Sequence, residues 1–448
     1  MRRLLLVTAM LTLAAPVAAD AKTRWVVKGG GWGHGLGMSQ YGAYGQALEG
    51  RGHRKILKHY YRNTTFGQAG GTVRVLLLAS VPSSTFSGAT QVGSRQVNPN
   101  RSYVVRRSGG RIVVRTGGGK RIARSRGVLR VLSSQGVVNV AGKGTYRDVI
   151  EYRPGLSGGV TAVNKVELEN YIRGVVPNES PAGWPLEALK AQAVAARSYA
   201  LGTGSGGNRI FDHYDTVASQ VYGGYSSEHP RTNRAVAATS GLILRHGGEP
   251  IVAYFHSTSG GHTENNENVF SGGQPLPYIR GVEDPWDRRS PYHRWRQGYS
   301  ARSLGNQLGV GRLKAVRVKR RGVSGRIVYA TFRGRNGRAR LHGWNDIRAR
   351  LTLRDIPSTF KKITARGSTA SAATAGVDSR ARARDLSGRI SPAKPGQPVK
   401  VKRRTADGWK RVARGRLGRS GRYRIAVEAP GRYRVVSGGD AGPVVRVR

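Results

Sequence analysis

Residues 168–201 read LENYIRGVVPNESPAGWPLEALKAQAVAARSYAL. Leu168, Tyr171 and Ile172 share one helical stripe, and Leu186, Leu189, Ala193, Val194 and the run Ala196 to Leu201 continue at helical spacing. Pro185 opens the second helix, because a helix's first N–H has no partner to lose. Gly202 and the Gly204–Gly207 stretch end it. Between the helices lies Glu179, in a loop stiffened by Pro177, Pro181 and Pro185 and flanked by Val175, Val176 and Trp184. A carboxyl held beside an apolar wall has its charged form disfavoured, so its pKa rises. That suits a general acid. A helix-capping or solvated loop acid fits the same local sequence. Lys190, Gln192 and Arg197 lie on the following helix, with Lys190 and Arg197 seven apart on one face. Solvated face charges are the ordinary reading of such a pair.

Outside this helical stretch the sequence is mostly strand-like. Val73–Leu78, Tyr103–Val105, Ile112–Val114, Val128–Leu132, Val137–Val140 and Val149–Tyr152 are separated by Gly, Asn and Ser turns. Residues 22–70 hold a short strand, a glycine-rich segment and a helical pattern with Ile56, Leu57, Tyr60 and Tyr61 in phase. Residues 208–300 read as strands and loops and 301–364 as α+β. The expected class is α+β: a β-rich main domain over 22–364 with a few helices around an active-site cleft. Small residues make 365–375 a linker. Alternating strands with Pro-Gly turns make 376–448 a small immunoglobulin-like β-sandwich.

Two further stretches carry chemistry. Residues 251–270, IVAYFHSTSGGHTENNENVF, place His256 and His262 in a polar loop with Glu264 and Glu267 nearby. Zinc at His256 and His262 is one reading; hydrogen-bonding histidines are the commoner one, and the expectation is no cofactor. Ser257 and Ser259 lack a nucleophile-elbow pattern. Residues 29–42, GGGWGHGLGMSQYG, contain neither a P-loop nor a dinucleotide fingerprint. Bare glycine backbone permits close approach, and Trp32 with His34 suits a sugar ring. A tight turn with Trp32 in the core is the alternative.

The chain of 448 residues holds 76 Lys and Arg against 24 Asp and Glu, a formal charge of +52, with no cysteine. That excludes disulfides, thiolate nucleophiles and cysteine-ligated zinc. Such a charge invites a polyanion. Arg2, Arg3, an apolar run from Leu4 to Ala15 and small residues to Ala21 make 1–21 a secretory signal. An exported protein argues against nucleic acid as partner. The charge is uneven: residues 161–300 hold 13 basic and 13 acidic residues, whereas 301–364 hold 17 and 2. A neutral site within a basic body points to loose, salt-sensitive attraction to anionic cell-wall polymers.

Three segments carry a resemblance: 174–201 (GVVPNESPAGWPLEALKAQAVAARSYAL), 255–264 (FHSTSGGHTE) and 31–61 (GWGHGLGMSQYGAYGQALEGRGHRKILKHYY). Together they resemble the SpoIID/LytB family of sporulation and cell-wall proteins, over roughly 25–300. The GWGHG segment leads this chain, whereas better-known members carry it near the C-terminus, as in a circular permutation. The resemblance implies a lytic transglycosylase acting on peptidoglycan glycan strands, with Glu179 as catalytic acid and Lys190 and Arg197 at the site. It implies substrate contacts from Trp32, His34, Ser39, Gln40, Tyr41, Gln192 and Tyr199. His256, Ser257, Ser259, Gly260, Gly261 and His262 match a site-lining loop. On the LytB side it implies a non-catalytic modifier of a cell-wall amidase. One carboxylate suffices for such a reaction; Asp212, Asp215, Glu264 and Glu267 are the available second carboxylates.

Overall fold

The computed structural model describes residues 21–204, 210–270, 273–368 and 384–448. The expected signal segment, apart from Ala21, and positions 369–375 of the expected linker lie outside them.

The chain is α+β and dominated by strands. A seven-stranded sheet centres on Thr72–Val81, Val160–Glu167 and Val149–Pro154, and a six-stranded sheet on Tyr103–Ser108 and Ser83–Ser87. Their alternating apolar residues, among them Val75, Leu77, Val105, Val114 and Ile150, form one core. Strands buried on one face read as alternation, which is why this region was legible from sequence.

Helices gather beside the seven-stranded sheet. We label α1 (Gln40–Leu48), α2 (His53–Tyr60), α3 (Leu168–Glu179), α4 (Leu186–Thr203) and α5 (Pro230–Ala237). Helix α4 stands between two cores. Leu189, Ala193, Ala196 and Ala200 pack on the sheet side. Ala191, Val194 and Ala195 pack against Ile56, Leu57 and Tyr60 of α2 and against Leu242, Leu244 and Ile251. A helix with apolar residues on two opposite faces belongs in an interior. Its small residues let neighbours approach closely: a Cβ at Gly202 would run into the Ile251–Val252 backbone.

Helix α3 corrects the expectation of a loop around Glu179. The helix runs through Pro177 and ends on Glu179. Proline removes one helical hydrogen bond and crowds the preceding turn. In the last turns the Gly174 carbonyl accepts from Asn178 Nδ2 at 2.8 Å and from Gly223 N at 3.0 Å. Ser180 then caps the helix, its N–H reaching Val176 O.

Strand Lys22–Gly29 lies between Trp295–Ser300 and Ser358–Gly367, and the same sheet continues through Arg384–Ser391 to Arg422–Val427. The segment expected as a linker therefore begins inside a sheet, with Ala365 opposite Gly388. Its side chains share a core with a second sheet containing Pro398–Thr405 and Gly431–Ser437; Val26, Ile363, Leu386, Val401 and Val435 meet there. Residues 301–364 supply helices Ala301–Gln307 and Gly343–Leu351 around a three-stranded sheet.

Candidate active site

The three segments singled out from sequence converge. Trp32 and Thr258 exchange backbone hydrogen bonds at 2.9 and 3.1 Å. Met38–Ser39 pairs in parallel with Phe255–His256. Tyr41 N donates to Ser257 O at 3.0 Å. The glycine segment thus runs beside the histidine segment. Glycine is required at Gly33, where φ is +116° and a Cβ would lie 2.8 Å from that of His256.

Ser39 starts α1 by accepting the Gly42 N–H, as an N-cap serine does. This places Gln40 in the first turn, facing the end of α3. Its Nε2 lies 2.9 Å from Glu179 O, 3.4 Å from Glu179 Oε2 and 3.4 Å from Gln192 Oε1. Glu179 Oε1 accepts Val221 N at 3.0 Å. The carboxyl is half-buried. Burial raises its pKa above the usual glutamate value, and the Val221 and Gln40 donors partly offset the rise. No cation pairs with it among the described residues.

Aromatic rings stand nearby. Trp184 lies 5.1 Å from Tyr41 and 4.9 Å from Tyr44, each half-buried. Tyr199 packs on Tyr254 and Phe255, and its phenol is pushed up to about 12 by burial, with the charges of Tyr254 and Glu179 adding.

Residues 156–246 match the family model SpoIID, Stage II sporulation protein. The chain is 34% identical over 165 residues to Stage II sporulation protein D of Bacillus subtilis, covering 33% of this chain and 48% of that one. It is 32% identical over 222 residues to Stage II sporulation protein D of Bacillus amyloliquefaciens, covering 45% and 62%. It is 46% identical over 116 residues to the amidase enhancer of Bacillus subtilis, covering 26% and 15%. The chain thus spans about half the length of the curated sporulation relatives it matches. Residues 156–246 thus resemble SpoIID.

Within the SpoIID segment, the basic residues expected at the site have other partners. Arg197 is fully buried and binds Glu169 through two nitrogens at 2.8 and 2.9 Å and Leu242 O at 2.9 Å. Lys190 Nζ sits 2.7 Å from Glu187 Oε1. Neither hydrogen-bonds Glu179. Gln192 does join the site, through Gln40, and its own Nε2 is buried without a partner.

The histidine loop divides. His256 is buried, with Nδ1 3.1 Å from Leu36 O and Nε2 unpartnered. His34 lies 5.5 Å from it, ring to ring, and burial together with the Arg326 charge lowers its pKa to about 4. Burial also drives the His256 pKa down, so both rings are neutral at neutral pH. Ser259 and Gly260 turn inward instead, donating to Asp287 at 3.0 and 2.6 Å. The Gly261 carbonyl accepts Asp284 N. His262 Nδ1 faces Thr263 O at 2.6 Å, and Arg326 holds its carbonyl. Trp32 is exposed, with Tyr292 against it at 4.1 Å and Arg354 alongside.

The four alternative carboxylates are engaged elsewhere. Asp212 pairs with Arg74, Asp215 with Lys143 and Glu267 with Arg280. Glu264 is fully buried and accepts from Val323 N, Ser324 N and Ser324 Oγ. Among the described residues no group of three or more His, Asp or Glu is arranged to hold a metal. Sequence reasoning did not find the Val221 N–H, which carries no side-chain signal, or the buried pair Asp284 and Asp287.

Proposed function

We propose that the protein is an exported peptidoglycan lytic transglycosylase with Glu179 as its single acid and base. One observation carries this reading: a carboxyl with a raised pKa, oriented by Val221 N–H and Gln40, with no cation among the described residues to hold it ionised. A protonated Glu179 gives its proton to the oxygen bridging MurNAc and GlcNAc. The bond from that oxygen to the anomeric carbon breaks. The 6-hydroxyl oxygen of the same MurNAc attacks the anomeric carbon, and its proton returns to the carboxylate. Atoms and charge balance without water, and the product end is 1,6-anhydro-MurNAc. Hydrolysis by a carboxylate pair would need a second acid ~5–9.5 Å away; the four alternatives are tied up in ion pairs or hydrogen bonds. Tyr41, Tyr44 and Trp184 supply ring faces for sugars. The basic surroundings hold the protein to anionic wall polymers, outside the cell.

The test is digestion of purified glycan strands, read by mass spectrometry for 1,6-anhydro ends. Their absence with the intact protein would overturn the assignment. The likeness to an amidase enhancer supports a second reading, a non-catalytic modifier of a wall amidase. It expects amidase stimulation that is unchanged in Glu179→Gln.

A further inference from the structure

Strands Ala315–Arg321, Ile327–Arg333 and Arg338–His342 form an antiparallel sheet. Its inner face is apolar: Val316, Phe332 and Ala339 stand in register, as do Val318, Ala330 and Leu341, over a core with Trp25 and Val27. By the two-residue alternation of strands, the outer face carries the intervening residues. Arg317 is in register with Thr331 and Arg340, and Ala315 with Arg333 and Arg338.

This outer face is a trough of about 480 Å³ lined by Arg317, Lys319, Arg333, Arg338 and Arg340. All five are exposed, and none is in an ion pair among the described residues. No acid lines the trough. Neighbouring strands lie ~4.8 Å apart, and same-face residues along a strand ~7 Å apart. Five like charges on such a grid repel one another, and a solvated face gains nothing from that arrangement. A flexible chain of closely spaced anions relieves the repulsion and releases counterions. Four of the five are arginine, whose planar fork matches phosphate oxygens two at a time.

The aromatic residues of the face choose between phosphate polymers. Tyr329 is stacked on His342, with rings 4.2 Å apart at 15°. That stack covers one face of the only aromatic side chain lining the trough, so the trough offers no row of platforms on which successive nucleic-acid bases stack. We propose that this sheet face is a binding site for a base-free phosphodiester polymer of the cell envelope. The proposal deepens the wall-retention part of the proposed function and rests on it for the partner's location. It is independent of Glu179.

The experiment uses the full chain and two probes of equal phosphate number, a glycerol-phosphate homopolymer and single-stranded DNA. The variant Arg317→Ala/Arg333→Ala/Arg340→Ala is compared with Arg106→Ala/Lys120→Ala/Arg126→Ala, which removes the same charge from exposed positions elsewhere. The sheet variant is expected to bind the homopolymer ~10-fold more weakly, with the salt slope reduced by about 2–3. The control variant is expected to stay within about threefold of wild type. The Arg→Lys version of the sheet variant keeps the charge and is expected to fall between them. Equal losses in the two alanine variants would mean that net charge alone binds the polymer, and would overturn the site. Tighter binding of DNA than of homopolymer would overturn the choice of a base-free partner. Glycan cleavage by the same variants, scored through anhydro ends, reports on the proposed function separately: loss of polymer binding with cleavage intact supports the site.

Discussion

Gln40 Nε2 lies 2.9 Å from the main-chain oxygen and 3.4 Å from the carboxylate of Glu179, across 139 residues of sequence. A single amide thus ties the start of α1 to the end of α3 and holds the candidate acid. Replacing Gln40 by alanine leaves the Glu179 carbonyl short of a partner, at a cost of ~1–3 kcal/mol. It also removes a donor that lowers the Glu179 pKa. The alkaline limb of the pH–rate profile for glycan cleavage is therefore expected to move upward in Gln40→Ala. An unmoved limb would show that this contact does not tune the acid.

Glu179→Gln keeps the shape and removes the proton. Anhydro-end formation is expected to drop ~10²–10⁴-fold. Stability has a distinct sign. The folded pKa is raised, so wild type loses stability as pH climbs through it, and the Glu179→Gln variant does not. Melting temperatures of the two proteins are expected to agree at low pH, with the variant equal or higher at pH 8.

Arg197→Ala is expected to act on folding. Its guanidinium is fully buried against Glu169 and Leu242 O. Removing one partner of such a pair costs ~3–5 kcal/mol. Denaturant titration should show a large shift in midpoint. Catalytic rate per folded molecule, with the Glu169–Arg197 pair swapped to two apolar residues, should stay near wild type.

Asp284 supplies a pH test away from Glu179. It is fully buried beside Asp287, with Tyr60 Oη at 3.0 Å, and burial with the Asp287 charge raises its pKa to about 7. Because the folded value exceeds the ordinary 3.8, this group costs stability progressively as pH rises from the ordinary value to the folded one. Asp284→Asn is expected to flatten that slope and to melt at higher temperature than wild type at pH 8. Equal slopes in both proteins would place the titration elsewhere.

Much of this was legible in the chain itself. The stripes in α2, α3 and α4, and the alternation of residues 71–165, follow directly from the two side-chain periods. Helix α1 was not legible, because Gly42 and Gly45 interrupt it and its buried positions are mostly glycine, alanine and glutamine. Both glycines are packing requirements: a Cβ at Gly42 would meet Tyr60 and Asp284, and at Gly45 the Trp286 backbone. Pro177 signals a helix end, yet α3 runs past it to Glu179. The resemblance put Arg197 at the site; its partner Glu169 lies on the preceding helix, out of reach of any local pattern. Charge on a helix face does not reveal what covers it.

The strand Lys22–Gly29 has a consequence for the order in which the protein is made. It emerges before its pairing partners, Trp295–Ser300 and Ser358–Gly367. Gly31 and Trp32 close onto Tyr292 and Thr258, and Gln40 onto Glu179. Contacts of such separation form late and carry a large loop-closure cost. A chain grown only as far as Glu179 therefore holds the glycine segment and the acid but not Val221, Thr258 and Tyr292, which complete their contacts. The site segments close on one another only once residue 292 has been made, and strand Lys22–Gly29 gains its second neighbour only after residue 365.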